Sequence, residues 1–351
     1  MALRWGMLVS MLLAFPAIEA RAEPVADFYK GKQLNLIVGN SAGGGYDVYG
    51  RLLAHHFGRY IPGNPTIVVQ NMPGAAGLRA ANYLYNVAPK DGTTFGIIAH
   101  DLVLLGALGG NPNVQFDTSK FIWLGSSSSF ADDAYLLIAR TDAAVKSAED
   151  ARRPGGAPLV MGASSEGGGS NDMINITRDA LGFNLKTVTG YPGSSSMFLA
   201  IERGEIDARF TAISTLQSIK PQWIRPEGGV RALVQFARTT RHPLFPDVPT
   251  ARELARSDFA RALIDLAELP FFIDRPFVAP PGLPADRAKA LQNAFVAVHK
   301  DSQYLEEARK LKIDVSPISG EEVLRVIARV GSAPPETLAY MKNLLSSKGH
   351  E

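Results

Sequence analysis

Four glycine-rich loops are the parts of this sequence whose residue types could hold a ligand. Residues 41–47 (SAGGGYD) and 164–171 (SSEGGGSN) each follow a predicted strand and enter a predicted helix. Residues 74–77 (GAAG) and 191–194 (YPGS) are two further loops at strand ends. Glycine lets the backbone approach a ligand closely, and the free amides of a first helical turn attract negative charge. This composition therefore favours anion binding by backbone amides and hydroxyl groups.

Each of these loops, taken alone, is equally well explained as a tight turn. Two of them fall in each half of the predicted fold, however, and ligands of open α/β sheets bind at the carboxyl ends of the strands. We therefore expect the four loops to line one cleft. Because neither of the two longer loops contains lysine or arginine, we expect amides and hydroxyls to hold the anion in place of a guanidinium clamp.

The motifs of common enzyme and cofactor sites are absent from the sequence. Val48 stands where a GxGxxG motif would have its last glycine, Met197 stands where a GxSxG motif would end, and no GxxxxGK[ST] loop occurs. His55 and His56 are adjacent on a helix and diverge by about 100°, so we expect that they do not chelate one metal. We predict no catalytic residue, no metal and no cofactor. A periplasmic α/β hydrolase stays the alternative, because a catalytic triad is assembled in space.

The N-terminus indicates export. Arg4 gives a positive start, residues 7–15 are apolar, and residues 20–22 (ARA) form a small-x-small cleavage site, which is the pattern of a secretory signal peptide. The apolar run is much shorter than the ~20 residues that cross a bilayer. We therefore expect residues 1–22 to be removed and the mature protein to reside in the periplasm.

Cysteine usage and charge exclude several function classes. The chain contains no cysteine, which excludes a lipid-anchored cysteine, thiolate catalysis, iron–sulfur clusters and cysteine zinc sites. The whole chain has 36 basic and 34 acidic residues, and the leader contains two arginines and one glutamate, so 34 basic and 33 acidic residues remain. A net charge this close to zero gives no positive electrostatic field that would attract nucleic acid or an anionic membrane.

Short apolar runs alternate with amphipathic segments, which predicts an α/β fold. Strands are predicted at residues 34–39, 66–70, 94–99, 135–139, 159–162, 186–189, 208–210 and 230–236. Helices are predicted at residues 47–60, 78–86, 170–181, 194–203, 285–299, 302–311, 321–330 and 335–346. We expect two lobes that close by hinge motion around a cleft, each lobe a mainly parallel sheet flanked by helices. Lobe 1 would comprise residues 23–124 and 236–351, and lobe 2 residues 125–235.

Five segments carry a resemblance to a known family. They are residues 36–54 (LIVGNSAGGGYDVYGRLLA), 67–96 (IVVQNMPGAAGLRAANYLYNVAPKDGTTFG), 190–210 (GYPGSSSMFLAIERGEIDARF), 245–250 (FPDVPT) and 278–284 (VAPPGLP). On these segments the chain resembles the substrate-binding receptors of tripartite tricarboxylate transporters, the Bug family. The resemblance implies a type II periplasmic-binding fold that captures a small carboxylate, acts as a monomer and delivers its ligand to membrane permease subunits. A subunit that presents a ligand to a membrane sensor kinase is the alternative that sequence does not separate.

Carried over position by position, the resemblance implies ligand contacts from all four loops. They are Gly43, Gly44, Gly45, Asp47, Gly74, Ala75, Ala76, Ser164, Gly168, Ser170, Tyr191, Gly193 and Ser194. The sequence departs from the family pattern at Leu78, at Asn171-Asp172, at Arg209 and at Thr211. We therefore expect the end of the site that grips the carboxylate to be retained, and the sequence does not identify what the far end of the pocket recognises.

Overall fold

The computed structural model of the protein describes residues 24–163, 169–225 and 227–345. Its strands are β1 (Gln33–Val38), β2 (Thr66–Asn71), β3 (Thr94–Ile97), β4 (Ile122–Ser126), β5 (Tyr135–Arg140), β6 (Leu159–Gly162), β7 (Leu185–Val188), β8 (Ala208–Ala212), β9 (Val230–Phe236), β10 (Pro276–Ala279) and β11 (Ile318–Ser319). The predicted signal peptide, residues 1–22, lies outside the described residues.

Helices connect most of these strands. They are α1 (Val25–Tyr29), α2 (Gly45–Phe57), α3 (Leu78–Asn86), α4 (Asp101–Leu108), α5 (Ala148–Ala151), α6 (Gly169–Leu181), α7 (Ser194–Glu202), α8 (Ile213–Ile219), α9 (Ala251–Leu254), α10 (Asp258–Glu268), α11 (Ala285–Val298), α12 (Ser302–Leu311), α13 (Gly320–Val330) and α14 (Pro335–Leu345). No helix within the described ranges combines the length and apolar character that crossing a membrane requires.

The strands form two separate sheets. The first sheet has the order β11-β4-β10-β3-β1-β2, and the second has the order β7-β6-β8-β5-β9. This confirms the predicted α/β fold with two lobes. The chain passes from the first sheet to the second between β4 and β5, and it returns after β9 to contribute β10 and β11.

Both sheets are mixed, and in each of them four strands run in one direction. Strands β1, β2 and β3 are parallel, as are β6, β7 and β8, whereas β10 and β4 in the first sheet and β5 and β9 in the second pair antiparallel. Parallel neighbours need a crossover connection, usually a helix. Strands β5 and β10, each the first strand after the chain crosses to the other sheet, run antiparallel to both of their neighbours.

The first sheet is buried on both faces. Leu34, Leu36 and Val38 of β1 pack with α2 and α11 in one hydrophobic cluster, while Ile37 packs with α3, α4 and α13 in another. A strand covered on both sides needs no polar face, which explains why the sequence of β1 is nearly continuous in apolar residues.

The second sheet recruits helices from the C-terminal part of the chain. Leu263 of α10 and Met341 of α14 belong to the same hydrophobic cluster as Leu137 of β5 and Ile174 of α6. On the other face, α7 and α8 pack in a cluster with Ile138. The chain changes sheet between β4 and β5 and again between β9 and β10, while α10 and α14 pack on the second sheet. The division into lobes at residues 124 and 235 stays a prediction.

Candidate ligand-binding site

The first glycine loop leads from β1 into α2. Gly43 has a φ of +79°, Gly44 is extended, and α2 begins at Gly45, two residues earlier than predicted. The amides at the start of a helix have no partner inside that helix, and they carry the positive end of its dipole. The loop therefore offers backbone donors where the sequence analysis expects an anion.

The carboxylate of Asp47 holds this loop from inside the lobe. It accepts hydrogen bonds from the Gly43 amide (2.8 Å), from Arg51 Nε (2.8 Å) and from Asn71 Nδ2 (2.9 Å). Burial alone would raise the pKa of Asp47, but these hydrogen bonds lower it below its usual value. Asp47 thus stays ionised as an internal brace of the first loop, and its predicted contact with the ligand remains a prediction.

The second predicted loop, residues 74–77, lies beside the first. Gly74 and Gly77 have φ values of +139° and +93°, and Ala75 adopts φ +47°, which is rare for a residue with a side chain. A Cβ placed on Gly39, at the end of β1, would lie 3.5 Å from the Cα of Gly77. Asn71 links the loops further, because it also donates to the Asn40 carbonyl at 3.0 Å.

A buried charged cluster that the sequence analysis missed lies at the base of the first loop. His100 Nδ1 lies 2.5 Å from Asp274 Oδ1, and Asp274 also forms an ion pair with Arg275. Burial would raise the pKa of Asp274, but Arg275 and His100 lower it. No spacing within the sequence pairs His100 with a carboxylate, because Asp274 is 174 residues away. Only the pairing of β10 with β3 brings the two together.

Arg275 brings positive charge next to the first loop. Its Nη2 would lie 3.5 Å from a Cβ placed on Gly45, and its guanidinium lies over the rings of Tyr46 (4.7 Å) and Tyr49 (5.0 Å). Tyr46 in turn accepts a hydrogen bond from the His100 amide at 3.0 Å. The loop itself contains no basic residue, yet tertiary structure supplies a guanidinium beside its glycines.

The long glycine loop of the second sheet ends against the first lobe. Ser164 and Gly168 lie outside the described residues, and the described chain resumes at Gly169, the first residue of α6, with Ser170 next to it. A Cβ on Gly169 would lie 3.4 Å from Asp101 Oδ2. Burial, together with the charge of Asp101, raises the pKa of Asp172 in the same helical turn to about 7.

The fourth loop adjoins the third. The Tyr191 amide donates to the Ala163 carbonyl (3.3 Å), directly before the undescribed segment 164–168. The Gly193 carbonyl accepts from Ser196 Oγ at 2.7 Å, and α7 begins at Ser194. The two loops of the second sheet therefore start from the ends of two neighbouring strands, β6 and β7.

One chain of contacts joins the two lobes. From Gly45 at the start of α2 it runs through Arg275, Asp274 and His100 to Asp101, and Asp101 faces Gly169 at the start of α6. The N-terminal ends of two 13-residue helices, one packed on each sheet, thus lie at the two ends of one buried cluster. This is where an anion bound between the lobes would meet backbone donors from both.

A separate cavity of about 430 Å³ lies away from these loops. It is lined by Asp132, Asp133 and Ser214 near α8, by Arg309 of α12 and by Asp314 just after that helix. None of the predicted binding residues lines it. Asp133 is engaged internally, because its Oδ1 accepts from the Ile213 amide at 2.9 Å. The cavity combines acidic and basic side chains, which gives it no preference for an anion.

Within the described part of the chain, one group of side chains could hold a metal ion. Contrary to the divergence expected of adjacent histidines, Glu307 of α12 is reached by both His55 Nδ1 (2.9 Å) and His56 Nε2 (2.7 Å). Arg59 Nη2 lies 2.6 Å from His56 Nδ1. Since arginine can only donate, His56 keeps its proton on Nε2, where a metal would have to bind. The arrangement therefore favours a hydrogen-bonded clamp between α2 and α12.

The comparison with protein families decides the class of the protein. The sequence model described as the tripartite tricarboxylate transporter family receptor matches residues 59–332. The chain belongs to this receptor family. The match covers most of the described chain, including three of the four glycine loops, and family members are solute-binding proteins that work with a transporter.

Individual relatives agree with this assignment. The receptor is 25% identical over 314 residues to the UPF0065 protein in the gbd 5′ region of Cupriavidus necator, covering 86% of this chain and 84% of that protein. A solute-binding protein of the same family from Polaromonas, solved without ligand, is 21% identical with a TM-score of 0.64, over 90% of this chain and 99% of that chain. MatC from Rhodopseudomonas palustris with bound malate is 21% identical with a TM-score of 0.60, over 90% and 99%. At this identity the two structures establish the shared fold.

Proposed function

We propose that this receptor captures a small carboxylate between its two lobes in the periplasm and delivers it, chemically unchanged, to the permease subunits of a tripartite transporter. The observation that carries the proposal is the chain of contacts from Gly45 to Gly169, which brings the donor-rich starts of α2 and α6 to one buried cluster. The family match supports the role, and the malate bound by MatC supports the class of ligand.

The predicted binding residues fit this role as a set of backbone and hydroxyl donors. The loops at residues 43–47 and 74–77 contribute positive-φ glycines and free helix-start amides from lobe 1. Ser170, Gly193 and Ser194 stand at helix starts in lobe 2. Charge-assisted hydrogen bonds from such donors are roughly twice as strong as neutral ones, so several of them suffice to hold a carboxylate without covalent chemistry.

Thermal-shift screening tests the ligand class. Wild-type receptor is scanned with mono- and dicarboxylates and with their amides as matched neutral controls. A carboxylate present at 100 times its dissociation constant should stabilise the protein by about 2.7 kcal/mol, and the amide should not. Stabilisation by amides alone, or by none of the compounds, would remove carboxylate capture as the function.

Two further measurements address transport without turnover. Small-angle scattering should show a smaller radius of gyration with the stabilising carboxylate present, because two lobes close around a ligand. Nuclear magnetic resonance should recover that carboxylate unaltered after prolonged incubation. A chemically changed ligand would favour the hydrolase alternative.

Export has its own test. The intact mass of receptor isolated from the periplasm should correspond to a chain that begins at Glu23, after cleavage behind Ala22. A protein that retains Met1 and stays in the cytoplasm would contradict the periplasmic role.

A further inference from the structure

Arg209 is a buried arginine whose guanidinium is directed at the fourth glycine loop. It is the second residue of β8, the middle strand of the second sheet, and its exposure is only 5%. Its Nη1 donates to the Ser194 carbonyl (2.8 Å), its Nη2 donates to Ser194 Oγ (2.9 Å), and its Nε donates to the Phe210 carbonyl (2.9 Å). The guanidinium also lies over the ring of Phe198, at 4.4 Å. Two of its three nitrogens are thus committed to one loop residue.

The charge of Arg209 has no acidic partner in the parts of the chain that the structure describes. The half-buried arginines Arg252 and Arg275, by contrast, pair with the buried carboxylates of Glu268 and Asp274. Burial lowers the pKa of Arg209 to about 10, so the group is still a cation at neutral pH. A buried charge without a counter-charge is costly. Neutral groups satisfy its hydrogen bonds, and they leave its charge uncompensated.

The hydrogen bond from Arg209 determines the hydrogen-bonding role of the Ser194 hydroxyl. Ser194 Oγ accepts from Arg209, and a hydroxyl that accepts through its oxygen still has its own hydrogen to donate. Ser194 is also the first residue of the nine-residue helix α7, whose first amides have no partner within the helix. The Ser194 hydroxyl, the first amides of α7 and the positive charge of Arg209 together favour a negatively charged hydrogen-bond acceptor.

We propose that Arg209 is a positioning residue for ligand recognition: it orients the Ser194 hydroxyl and the start of α7 toward a carboxylate of the ligand, and that carboxylate supplies the counter-charge that Arg209 lacks. This inference rests on the proposed function, and it adds that lobe 2 contributes selection for an anion. Lobe 1 already has its own donors, so a ligand with a carboxylate at each end satisfies both lobes at once.

Calorimetry with matched probes tests the proposal. Wild type, Arg209→Met, Arg209→Lys, Ser194→Ala and the Arg209→Met/Ser194→Ala double variant are titrated with succinate, malate and adipate and with the monoamides of these acids. Arg231→Met is the matched control, because Arg231 lies on β9 of the same sheet and donates to the Thr141 carbonyl without an acidic partner in the described chain.

We expect Arg209→Met to weaken binding of the best dicarboxylate by about tenfold or more, and to change the affinity for its monoamide by much less. Arg209→Lys should recover part of the loss, because it restores the charge without the planar fork. Ser194→Ala should add little to Arg209→Met, since residues that act through one another are not additive. Arg231→Met should bind like wild type.

Three outcomes would overturn the inference. Equal losses for the acid and its monoamide would show a merely structural role, and additive losses in the double variant would show that Arg209 does not act through Ser194. Glu166 lies in the undescribed segment 164–168, and a loss on Glu166→Gln as large as that on Arg209→Met would show a counter-charge within the chain. If wild type binds none of the six compounds, the proposed function itself fails, which is a different result from wild-type binding that Arg209→Met leaves intact.

Discussion

At the scale of single residues, Gly45 and Asp47 have different roles in the first loop. Gly45 leaves space beside the Arg275 guanidinium, and Asp47 ties the loop to α2 and β2 through buried hydrogen bonds. Both residues are predicted from the sequence as ligand contacts. Their surroundings indicate that one provides access to the site and the other provides rigidity, and each role leads to a different experimental result.

Gly45→Val should weaken carboxylate binding by at least about tenfold, equivalent to about 1.4 kcal/mol. A Cβ at this position has ordinary contact with Arg275 Nη2 at 3.5 Å, but the two γ-methyl groups of valine would occupy the space in front of the loop amides. Gly45→Ala is the control, because Gly45 is helical and has no positive φ to protect. Titration calorimetry measures the affinity of both variants. If Gly45→Ala and Gly45→Val lose the same affinity for the carboxylate, crowding by the valine side chain is not the cause.

Asp47→Ala should lower the free energy of unfolding by about 2–4 kcal/mol, because three donors lose a buried acceptor. Urea denaturation measures this change. Arg51→Ala removes one partner of the same carboxylate, but the Arg51 side chain is 53% exposed, so its loss should be about 1 kcal/mol or less. Similar costs for both variants would contradict the assignment of Asp47 as the central brace.

At the scale of elements, the helix starts and the C-terminal helices have different structural roles. Helices α2, α6 and α7 all begin at glycine-rich loops at strand ends, and the first amides of a helix have no partner within that helix. The C-terminal helix α14 packs against the second sheet, so the last described element of the chain belongs to the core of lobe 2.

Met341→Ala in α14 should destabilise the protein by about 2–4 kcal/mol, since Met341 is fully buried in the cluster that also contains Ile174 and Leu263. Hydrogen exchange should show faster exchange in α6 and α10 than in α2, because only the former pair shares this cluster. Leu324→Ala on α13 is the matched control, as that side chain is 41% exposed. Faster exchange confined to α2 would contradict the packing of α14 on lobe 2.

At the scale of the whole molecule, the negative charge of Asp101 acts on the carboxyl group of Asp172 in the other lobe. Asp172 belongs to the first turn of α6 and Asp101 to the start of α4, and burial raises the pKa of both, with Asp172 reaching about 7. A carboxyl whose pKa is higher in the folded than in the unfolded protein binds more protons when folded. Stability from this source is therefore present below about pH 4 and is lost as pH rises to about 7.

Asp172→Asn should remove that part of the pH dependence. The melting temperature of the wild type should fall more than that of the variant between pH 5 and pH 8, and the variant should be the more stable at pH 8. Asp133 and Glu268 have pKa values raised to about 6 and about 7 by burial, so the difference between the two proteins is the quantity to measure. Asp258→Asn, at a fully exposed carboxylate, is the control and should follow the wild type.

Local pattern alone determined most of the elements and the family. The helices predicted at residues 302–311 and 321–330 appear as α12 (Ser302–Leu311) and α13 (Gly320–Val330), and the strands predicted at 159–162 and 230–236 appear as β6 and β9 with unchanged bounds. Amphipathic periodicity, proline and glycine breakers and cap residues act within a few positions of the chain, so they can be read from it directly. The glycine loops are local in the same sense, and the sequence alone suffices to predict that they bind an anion.

Only the tertiary structure decided which distant residues complete the site. Strand β10 was not predicted, because a four-residue segment that begins with a proline has no period of its own. Yet its place between β3 and β4 carries Asp274 to His100 and Arg275 to Gly45. The position of Arg209 under Ser194 depends in the same way on how β8 and α7 pack. Sheet order and helix packing come from burial summed over the whole chain, and no spacing within the sequence encodes them.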